Sequence, residues 1–352
     1  MLAVIKESTG VGAVLSQRAI PTAAPGEVVI KVQAAAVCGT DIHIYDWNPW
    51  AQGAGINLPI VLGHECAGDV VAVGSGVTGL KPGDRVAVDT HIPCGHCRLC
   101  QSGRQHICQN LKLLGVHSDG CFAQYARVPA VCARRLPAEI PYTTGALFEP
   151  LGTAFRGAEE TKPAGKTVAV IGCGPIGLFA LASLRALGAA RIIAIDISPT
   201  RLEIAEKLGA DFLINPKKTD LVVALKDLTA GYGVDAFVEA SGNVTTTRQA
   251  FAALMKGGRV AMIGLAGKPL ELDSGMDIVF KETTITGIHG RMMFSTWEAL
   301  ESLVASRRLQ VEPVLTHRLP LRDFNAGIEL ARSGKAAKVI LEPWRDGGGK
   351  EV

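Results

Sequence analysis

Two kinds of apolar run alternate through the second half of the chain. The first, TVAVIG at 167–172, is short and built from β-branched and small residues, which suits a strand buried on both faces. The next is long and rich in Ala and Leu. It runs to Leu187, stops at Gly188 and reads as a buried helix. A second short run, Arg191 to Ile195, ends on Asp196. The alternation then predicts a helix over Thr200–Leu208, a strand near Phe212–Ile214 and a helix over Leu221–Leu228. Further strands are predicted at Ala236–Glu239, Arg259–Ile263 and Thr284–Ile288. Strand and helix in turn imply an α/β region with a doubly wound parallel sheet.

Upstream, to about Pro150, the pattern reads as mostly β. Strands are predicted at Glu27–Val37, Gly68–Val73 and Arg85–Val88, punctuated by Pro25-Gly26, Gly74-Ser75-Gly76 and Lys81-Pro82-Gly83-Asp84. From about Phe294 come a helix, the stretch Val311–Arg318, a helix near Phe324–Ser333 and a strand at Ala337–Leu341. The tail Arg345–Val352, with Gly347-Gly348-Gly349, is expected to lack structure. No internal repeat is seen.

The turn after the first buried strand carries chemistry. Gly172-Cys173-Gly174-Pro175-Ile176-Gly177 is a G-x-G-x-x-G. Gly172 permits the tight turn, Gly174 keeps side chains off a pyrophosphate, and Gly177 lets the helix approach the sheet. The helix N-terminus offers free N–H groups and a positive dipole end. Asp196 can accept from ribose hydroxyls and repels a 2′-phosphate, which favours NAD over NADP. Arg201 tempers that exclusion, or lies against the adenine. The glycine pattern alone also fits a plain turn between core elements. Strand, helix, second strand and terminal acid together point to a Rossmann dinucleotide site.

Composition narrows the classes. A chain of 352 residues is expected to hold two domains, and 48% hydrophobic with 20% charged residues suits a compact protein. The net charge of +3 is too small to argue for nucleic acid or an anionic membrane. The N-terminal MLAVIKESTG holds no long apolar run, and no uncharged stretch reaches a membrane span. A cytoplasmic location is the expectation. Nine cysteines, mostly clustered, then point to metal ligands rather than disulfides.

The densest cluster is Cys94-x-x-Cys97-x-x-Cys100 with Cys108 seven residues further on. Four such thiolates can close a tetrahedral shell around one structural zinc, leaving no position for chemistry. The spacing lacks the long gap of a nucleic-acid zinc finger, and Arg98, Arg104 and Lys112 make no basic stripe. His96 and His106 read as loop residues, since four sulfurs suffice. A second set is dispersed: Cys38-Gly39-Thr40-Asp41-Ile42-His43, Gly63-His64-Glu65 and Phe148-Glu149-Pro150. Singly, Cys38 reads as core packing and His64 as a loop histidine. Together they offer a thiolate, an imidazole and one or two carboxylates, the makings of a catalytic zinc shell with an open position. The spacing leaves both readings open.

Over nearly its full length the chain resembles the zinc-containing medium-chain alcohol dehydrogenases. The shared features are CGTD at 38–41, GHE at 63–65, Gly83-Asp84, the four-cysteine loop and GCGPIG at 172–177. Within the family it is most similar to the L-threonine 3-dehydrogenase branch. That likeness rests on CGTDIHIYDWNPWAQ (38–52), THIPCGHC (90–97), FEPLG (148–152), GIHGRMMFSTW (287–297) and VLTHRL (314–319). Ser295 departs from it, because members often carry an acidic residue before Thr-Trp.

The resemblance implies a mostly β GroES-like catalytic domain at 1–150, a Rossmann domain at 151–293, and a return to the first domain over 294–352. It implies that Cys38 and His64 bind a catalytic zinc, with Glu65 as ligand or close neighbour. Glu149 would stand in the place of a third cysteine, and which carboxylate completes the shell stays open. Thr40 and His43 resemble a proton relay that passes through the nicotinamide ribose. Cys94, Cys97, Cys100 and Cys108 would hold the structural zinc. Ile176, Asp196, Arg201, Ile263, Gly264, Leu265, Gly287 and Ile288 match cofactor-contacting positions, with the cofactor's nicotinamide facing zinc between the domains. The implied reaction is NAD-dependent oxidation of L-threonine to L-2-amino-3-oxobutanoate. Arg291 is the candidate for the substrate carboxylate, with a surface or subunit-contact arginine as the alternative. His91 or Glu149 would face the ammonium. Trp50 and Trp297 would line a pocket or an interface, or simply be buried. The family also suggests a homotetramer. A polyol or 2,3-butanediol dehydrogenase with the same machinery remains an alternative, as does a non-catalytic dinucleotide-binding protein.

Overall fold

Thr167–Ile171 is a strand buried at all five positions, and the second half of the chain is built outward from it. In space the strands run Phe212–Ile214, Arg191–Ile195, Thr167–Ile171, Val234–Glu239, Leu254–Met262 and Thr284–Gly287. All adjacent pairs are parallel. This is a doubly wound sheet whose order reverses beside the first strand, where such sheets bind ligands. The helix Pro175–Ala186 follows that strand, capped by Gly174 with Pro175 in its first turn. It buries Leu178, Phe179, Leu181 and Leu184, and it can do so because of Gly177. A Cβ on Gly177 would stand 1.7 Å from the Gly172 carbonyl oxygen.

The coordinates form a computed structural model that describes residues 1–293 and 295–345. Beyond Arg345, the glycine-rich tail expected to lack structure lies outside the described residues. Two compact units emerge: Met1–Glu149 with the chain from Leu315 onward, and Pro150–Val314. Residues 295–314 therefore group with the second unit, and the return begins later than the expected boundary at 294. The helix Ser295–Ala305 buries Trp297 and Leu300, and Arg308 donates to the Ala186 carbonyl at 3.5 Å.

In the first unit the main sheet runs Ala133–Arg135, Arg85–Val88, Glu65–Val73, Glu27–Ala36, Lys338–Glu342 and Leu315–Pro320, with Tyr125–Pro129 also on Glu27–Ala36. Two strands from the end of the chain thus complete a sheet begun near its start. Val311–Arg318 proves to be a short helical turn at Glu312–Val314, which contains Pro313, before the strand Leu315–Pro320. The helix Gly39–Asp46 was not predicted. It is short and carries little amphipathic signal; the Asp41 carboxylate caps it by accepting from Cys38 N–H at 2.8 Å. The fully buried Lys6 ammonium donates to the carbonyls of Gly10, Gly12 and Tyr45, which pins the far end of that helix. The helix Val244–Ala252 was also missed, because its Val-Thr-Thr-Thr start favours a strand by propensity. Asn243 caps it by accepting from Thr246 N–H.

Replacing Gly177 by Ala should destabilise the second unit by about 1–3 kcal/mol through overpacking against a backbone carbonyl. Thermal unfolding of the variant checks this, and an unchanged midpoint would show that the loop yields without cost.

Candidate active site and metal centres

Cys38, His64 and Glu65 come together at the end of the main sheet of the first unit. Cys38 follows the strand Glu27–Ala36 and is the N-cap of the helix Gly39–Asp46. Gly63 turns the chain with φ +90°, and a Cβ there would strike the Phe122 ring at 2.2 Å. Glu65 opens the strand Glu65–Val73 opposite Ala36. One ligand atom from each of Cys38, His64 and Glu65 lies within 4.8 Å of the others. Asp41 Oδ1 sits 3.7 Å from His64 Nδ1, and both residues are buried. Burial disfavours a charged His64, yet Asp41 and Cys38 outweigh it and raise its proton affinity well above the usual imidazole range. Such a cluster draws a cation, and its donor set fits zinc.

Glu65 also has a partner far away in sequence. Lys338 Nζ lies 2.8 Å from Oε1 and 2.6 Å from Oε2 of Glu65, with both residues buried. Burial would lower the Lys338 pKa, but the charges of Glu65 and Cys38 overcome it and hold the ammonium protonated. Glu149 is buried in the first turn of the helix Phe148–Glu160, and its charge bears on His64 and Lys338. Its carboxylate is not among the three groups that meet within 4.8 Å. The structure therefore gathers Glu65, rather than Glu149, with Cys38 and His64.

Four thiols meet in the loop after the strand His91–Ile92. Cys97 caps the helical turn Arg98–Gln101 that carries Cys100, and the turn Gln105–Ile107 delivers Cys108. The sulfur separations are 3.5 Å for Cys97–Cys100, 3.8 Å for Cys97–Cys108 and 4.0 Å for Cys94–Cys100. A tetrahedron of zinc–thiolate bonds has edges of about 3.8 Å, so the four sulfurs fit one zinc. Backbone N–H groups of Cys94 and Asn110 each donate to Cys108 Sγ at 3.3 Å. Backbone donors at Cys100 and Gln109 lower the Cys97 pKa to about 6, while burial pushes Cys100 up to about 12.

In the second unit a cavity of about 290 Å³ opens at the reversal point of the sheet. Its lining includes Gly172, Gly174, Asp196, Arg201, Ser241 and Asn243. A Cβ on Gly174 would meet no protein atom within 4 Å, so the space above this helix N-terminus is open, as a dinucleotide requires. Asp196 accepts from Cys173 N–H at 2.7 Å and Ser198 N–H at 2.8 Å, with Arg201 Nη1 at 3.9 Å. The carboxylate thus shapes the glycine loop as well as facing the cavity. Ile176, Gly177, Ile263, Gly264, Leu265, Gly287 and Ile288 do not line this cavity. Ser241 and Asn243 were missed. Their signal was a Ser-Gly-Asn turn directly after a predicted strand.

The remaining candidates fall in several environments. Thr40 Oγ1 is 4.0 Å from Cys38 Sγ. His43, one turn further on, is exposed, and its Nδ1 accepts from Asn48 Nδ2 at 2.7 Å. His91 is buried, with Nδ1 3.0 Å from Asp89 Oδ1. Arg291 is fully buried, and its aliphatic stem leaves no room for a Cβ on Gly152, which would stand 2.5 Å from Arg291 Cδ. Trp297 is buried, whereas Trp50 is partly exposed and packs near the His43 ring.

This combination of a nucleotide-binding sheet and two metal-capable clusters defines a class. Residues 24–138 match the alcohol dehydrogenase GroES-like domain, and residues 175–306 match the zinc-binding dehydrogenase domain. The chain belongs to the zinc-binding medium-chain alcohol dehydrogenase family. It is 43% identical to L-threonine 3-dehydrogenase of Symbiobacterium thermophilum, over 97% of this chain and 98% of the relative. Among solved structures, 2R,3R-butanediol dehydrogenase from Bacillus subtilis superposes with a TM-score of 0.88 at 32% identity, covering 97% of this chain and 99% of that one. An alcohol dehydrogenase from E. coli CFT073 complexed with NADH gives 0.88 at 30% identity, with the same coverage.

Lys338→Met would leave the Glu65 carboxylate buried without its cation, at a cost of about 3–5 kcal/mol. The double variant Glu65→Gln/Lys338→Met should recover most of that loss. Urea unfolding of the wild type and both variants, all metal-free, tests the pair, and equal losses in single and double variants would dismiss it.

Proposed function

We propose that this chain oxidises the secondary hydroxyl of L-threonine to a ketone, forming L-2-amino-3-oxobutanoate and NADH from NAD. The observation that carries this reading is the thiol–imidazole–carboxylate group of Cys38, His64 and Glu65 within 4.8 Å. It stands in a chain whose 43% identical relative, over 97% of its length, acts on L-threonine by name.

Bound at these sites, zinc supplies a Lewis acid for the hydroxyl and NAD a hydride acceptor. Cys38, His64 and Glu65, with Glu149 beside them, would hold the catalytic zinc. Cys94, Cys97, Cys100 and Cys108 would hold a structural one. The glycine loop and Asp196 would hold NAD. The substrate proton has a path on one helix face, since Thr40 and His43 are three residues apart. Thr40 Oγ1 stands close to Cys38 at the substrate end of that path, and the exposed His43 is assigned to its water end. An amino-acid substrate adds two charges that a simple alcohol lacks. Arg291 is assigned to the carboxylate, and His91 or Glu149 to the ammonium.

A second reading, oxidation of 2,3-butanediol or a polyol by the same machinery, is favoured by the likeness to butanediol dehydrogenase at 32% identity. The enzyme works in the cytoplasm in either reading. Among the described residues no disulfide joins any of the nine cysteines, and no helix is long and apolar enough to cross a membrane. It assembles as a homotetramer. In support, Thr284–Gly287 ends the parallel sheet with an open edge, flanked by exposed Val279, Phe280 and Ile285.

Zinc-replete protein should form NADH from NAD with L-threonine in clear preference to 2,3-butanediol and sorbitol. Arg291→Ala should lose most activity on L-threonine and little on the diol. A diol or polyol preference in the wild type would retain the zinc chemistry and remove the amino-acid pocket. Separately, Ile285→Lys should shift the mass measured by light scattering to a smaller species; a mass unchanged from the wild type would exclude that edge as a subunit contact.

A further inference from the structure

Glu239 ends the strand Val234–Glu239 and is 1% exposed. One carboxylate oxygen gathers an entire turn. Oε1 accepts from Ser241 N–H at 2.9 Å, Ser241 Oγ at 2.6 Å and Gly242 N–H at 2.8 Å. The Glu239 backbone carbonyl gathers another, accepting from Ile263 N–H at 2.9 Å and Gly264 N–H at 3.0 Å. The second carboxylate oxygen, Oε2, is buried with no hydrogen-bond partner and faces Gly264. A Cβ on Gly264 would stand 2.4 Å from Oε2 and 2.6 Å from Gly242 N. No cation pairs with Glu239 among the described residues. A buried carboxylate with an orphan oxygen and no counter-charge is costly to keep, and core packing gives no reason for it.

One of the two turns that it joins lies at the cofactor cavity, and the other packs behind it. Ala240 and Ser241 line the cavity directly. The 240–242 turn is wedged from both sides. A Cβ on Gly172 of the glycine loop would meet Ser241 Cβ at 2.7 Å, and a Cβ on Gly242 would meet the Leu265 carbonyl oxygen at 2.4 Å. The Glu239 carboxylate therefore sets how closely the 240–242 turn lies against the glycine loop, and its carbonyl fixes residues 263 and 264 on the other side.

We propose that Glu239 is a positioning residue for the dinucleotide: it fixes the 240–242 turn, backed by the 263–265 turn, as one wall of the cofactor site. The inference rests on the NAD-binding reading given above. It requires a hydrogen-bond acceptor at Oε1 rather than a negative charge. Glu239→Ala leaves the backbone donors of Ser241 and Gly242 unpaired, so the turn relaxes and the wall moves. Glu239→Gln keeps an amide oxygen for the same donors.

NADH binding followed by fluorescence titration, beside steady-state kinetics on the holoenzyme, tests this. Glu239→Ala should weaken NADH binding by about tenfold and raise KM for NAD in proportion, with kcat and bound zinc little changed. Glu239→Gln should bind within about threefold of the wild type. Wild-type affinity in folded Glu239→Ala would overturn the inference, as would a parallel loss of kcat, zinc and binding in both variants. A wild-type protein that binds no NADH would instead sink the cofactor reading itself. If Glu239→Ala does not fold, Gly264→Ala presses a methyl group onto Oε2 and the Gly242 amide. It should show the same KM-weighted defect, and unaltered NADH binding there would equally overturn the inference.

Discussion

A buried ion pair between residues from opposite ends of the chain ties the first unit together. Glu65 and Lys338 are brought face to face by strand order. Lys338–Glu342 pairs with Glu27–Ala36, which pairs in turn with Glu65–Val73, so both charges arrive at the same end of the sheet. Neither could be buried alone. An isolated carboxylate or ammonium in that position would cost several kcal/mol. The returning strands are therefore part of the metal-capable cluster even though they contribute no ligand. The chain leaves this unit after Glu149, builds the whole nucleotide-binding sheet, and comes back at Leu315 to supply the missing counter-charge.

Around the pair, negative groups are crowded on purpose-built backbone. Asp41, Cys38, Glu65 and Glu149 all bear on His64 or Lys338. In the metal-free cluster Lys338 and a protonated His64 face them. A divalent metal among Cys38, His64 and Glu65 would take the place of the His64 proton. This is a second argument for a metal there, independent of the spacing of the three ligands. The four-cysteine loop reaches the same end differently. Its sulfurs stand at tetrahedral separations, with backbone N–H groups already aimed at Cys108. That arrangement completes a shell with protein atoms alone, which suits holding a loop rather than receiving a substrate.

Much of the second unit could be read in the sequence because its central strands, Thr167–Ile171, Arg191–Ile195 and Val234–Glu239, are almost wholly buried. Arg191–Ile195 was predicted to the residue and a strand was expected near Phe212–Ile214, since short continuous apolar runs beside charged residues leave little choice. Short elements were less legible. The helix Gly39–Asp46 has too few turns to show a period, and its stability comes from the Asp41 cap and the Lys6 ammonium, both of which look like loop residues in the sequence. Cys38, His64 and Glu65 were visible as candidates through motif resemblance. Lys338 was not, because an Ala-Lys-Val strand start gives no hint of a partner 273 positions away. The same holds for Glu239, where the sequence shows only an acid at a strand end and the carboxylate's role lies in donors from the following turn.

The buried carboxylates Glu65, Asp196 and Glu239 are each neutralised in a different way, and the difference follows what each has to hold. Glu65 faces a side-chain ammonium, Lys338, which contacts both of its oxygens. Asp196 is clamped by the N–H groups of Cys173 and Ser198, which fixes the glycine loop before any ribose arrives. Glu239 is satisfied on one oxygen only, by a turn that lines the cavity. Backbone donors cannot swing away as a lysine can. Rigidity is thus concentrated where a dinucleotide must find a preformed wall, and a side-chain counter-charge where a metal is to be held. A fold that exchanged the two, with a lysine opposite Asp196 and backbone amides opposite Glu65, would keep the same net charge and lose that division of labour.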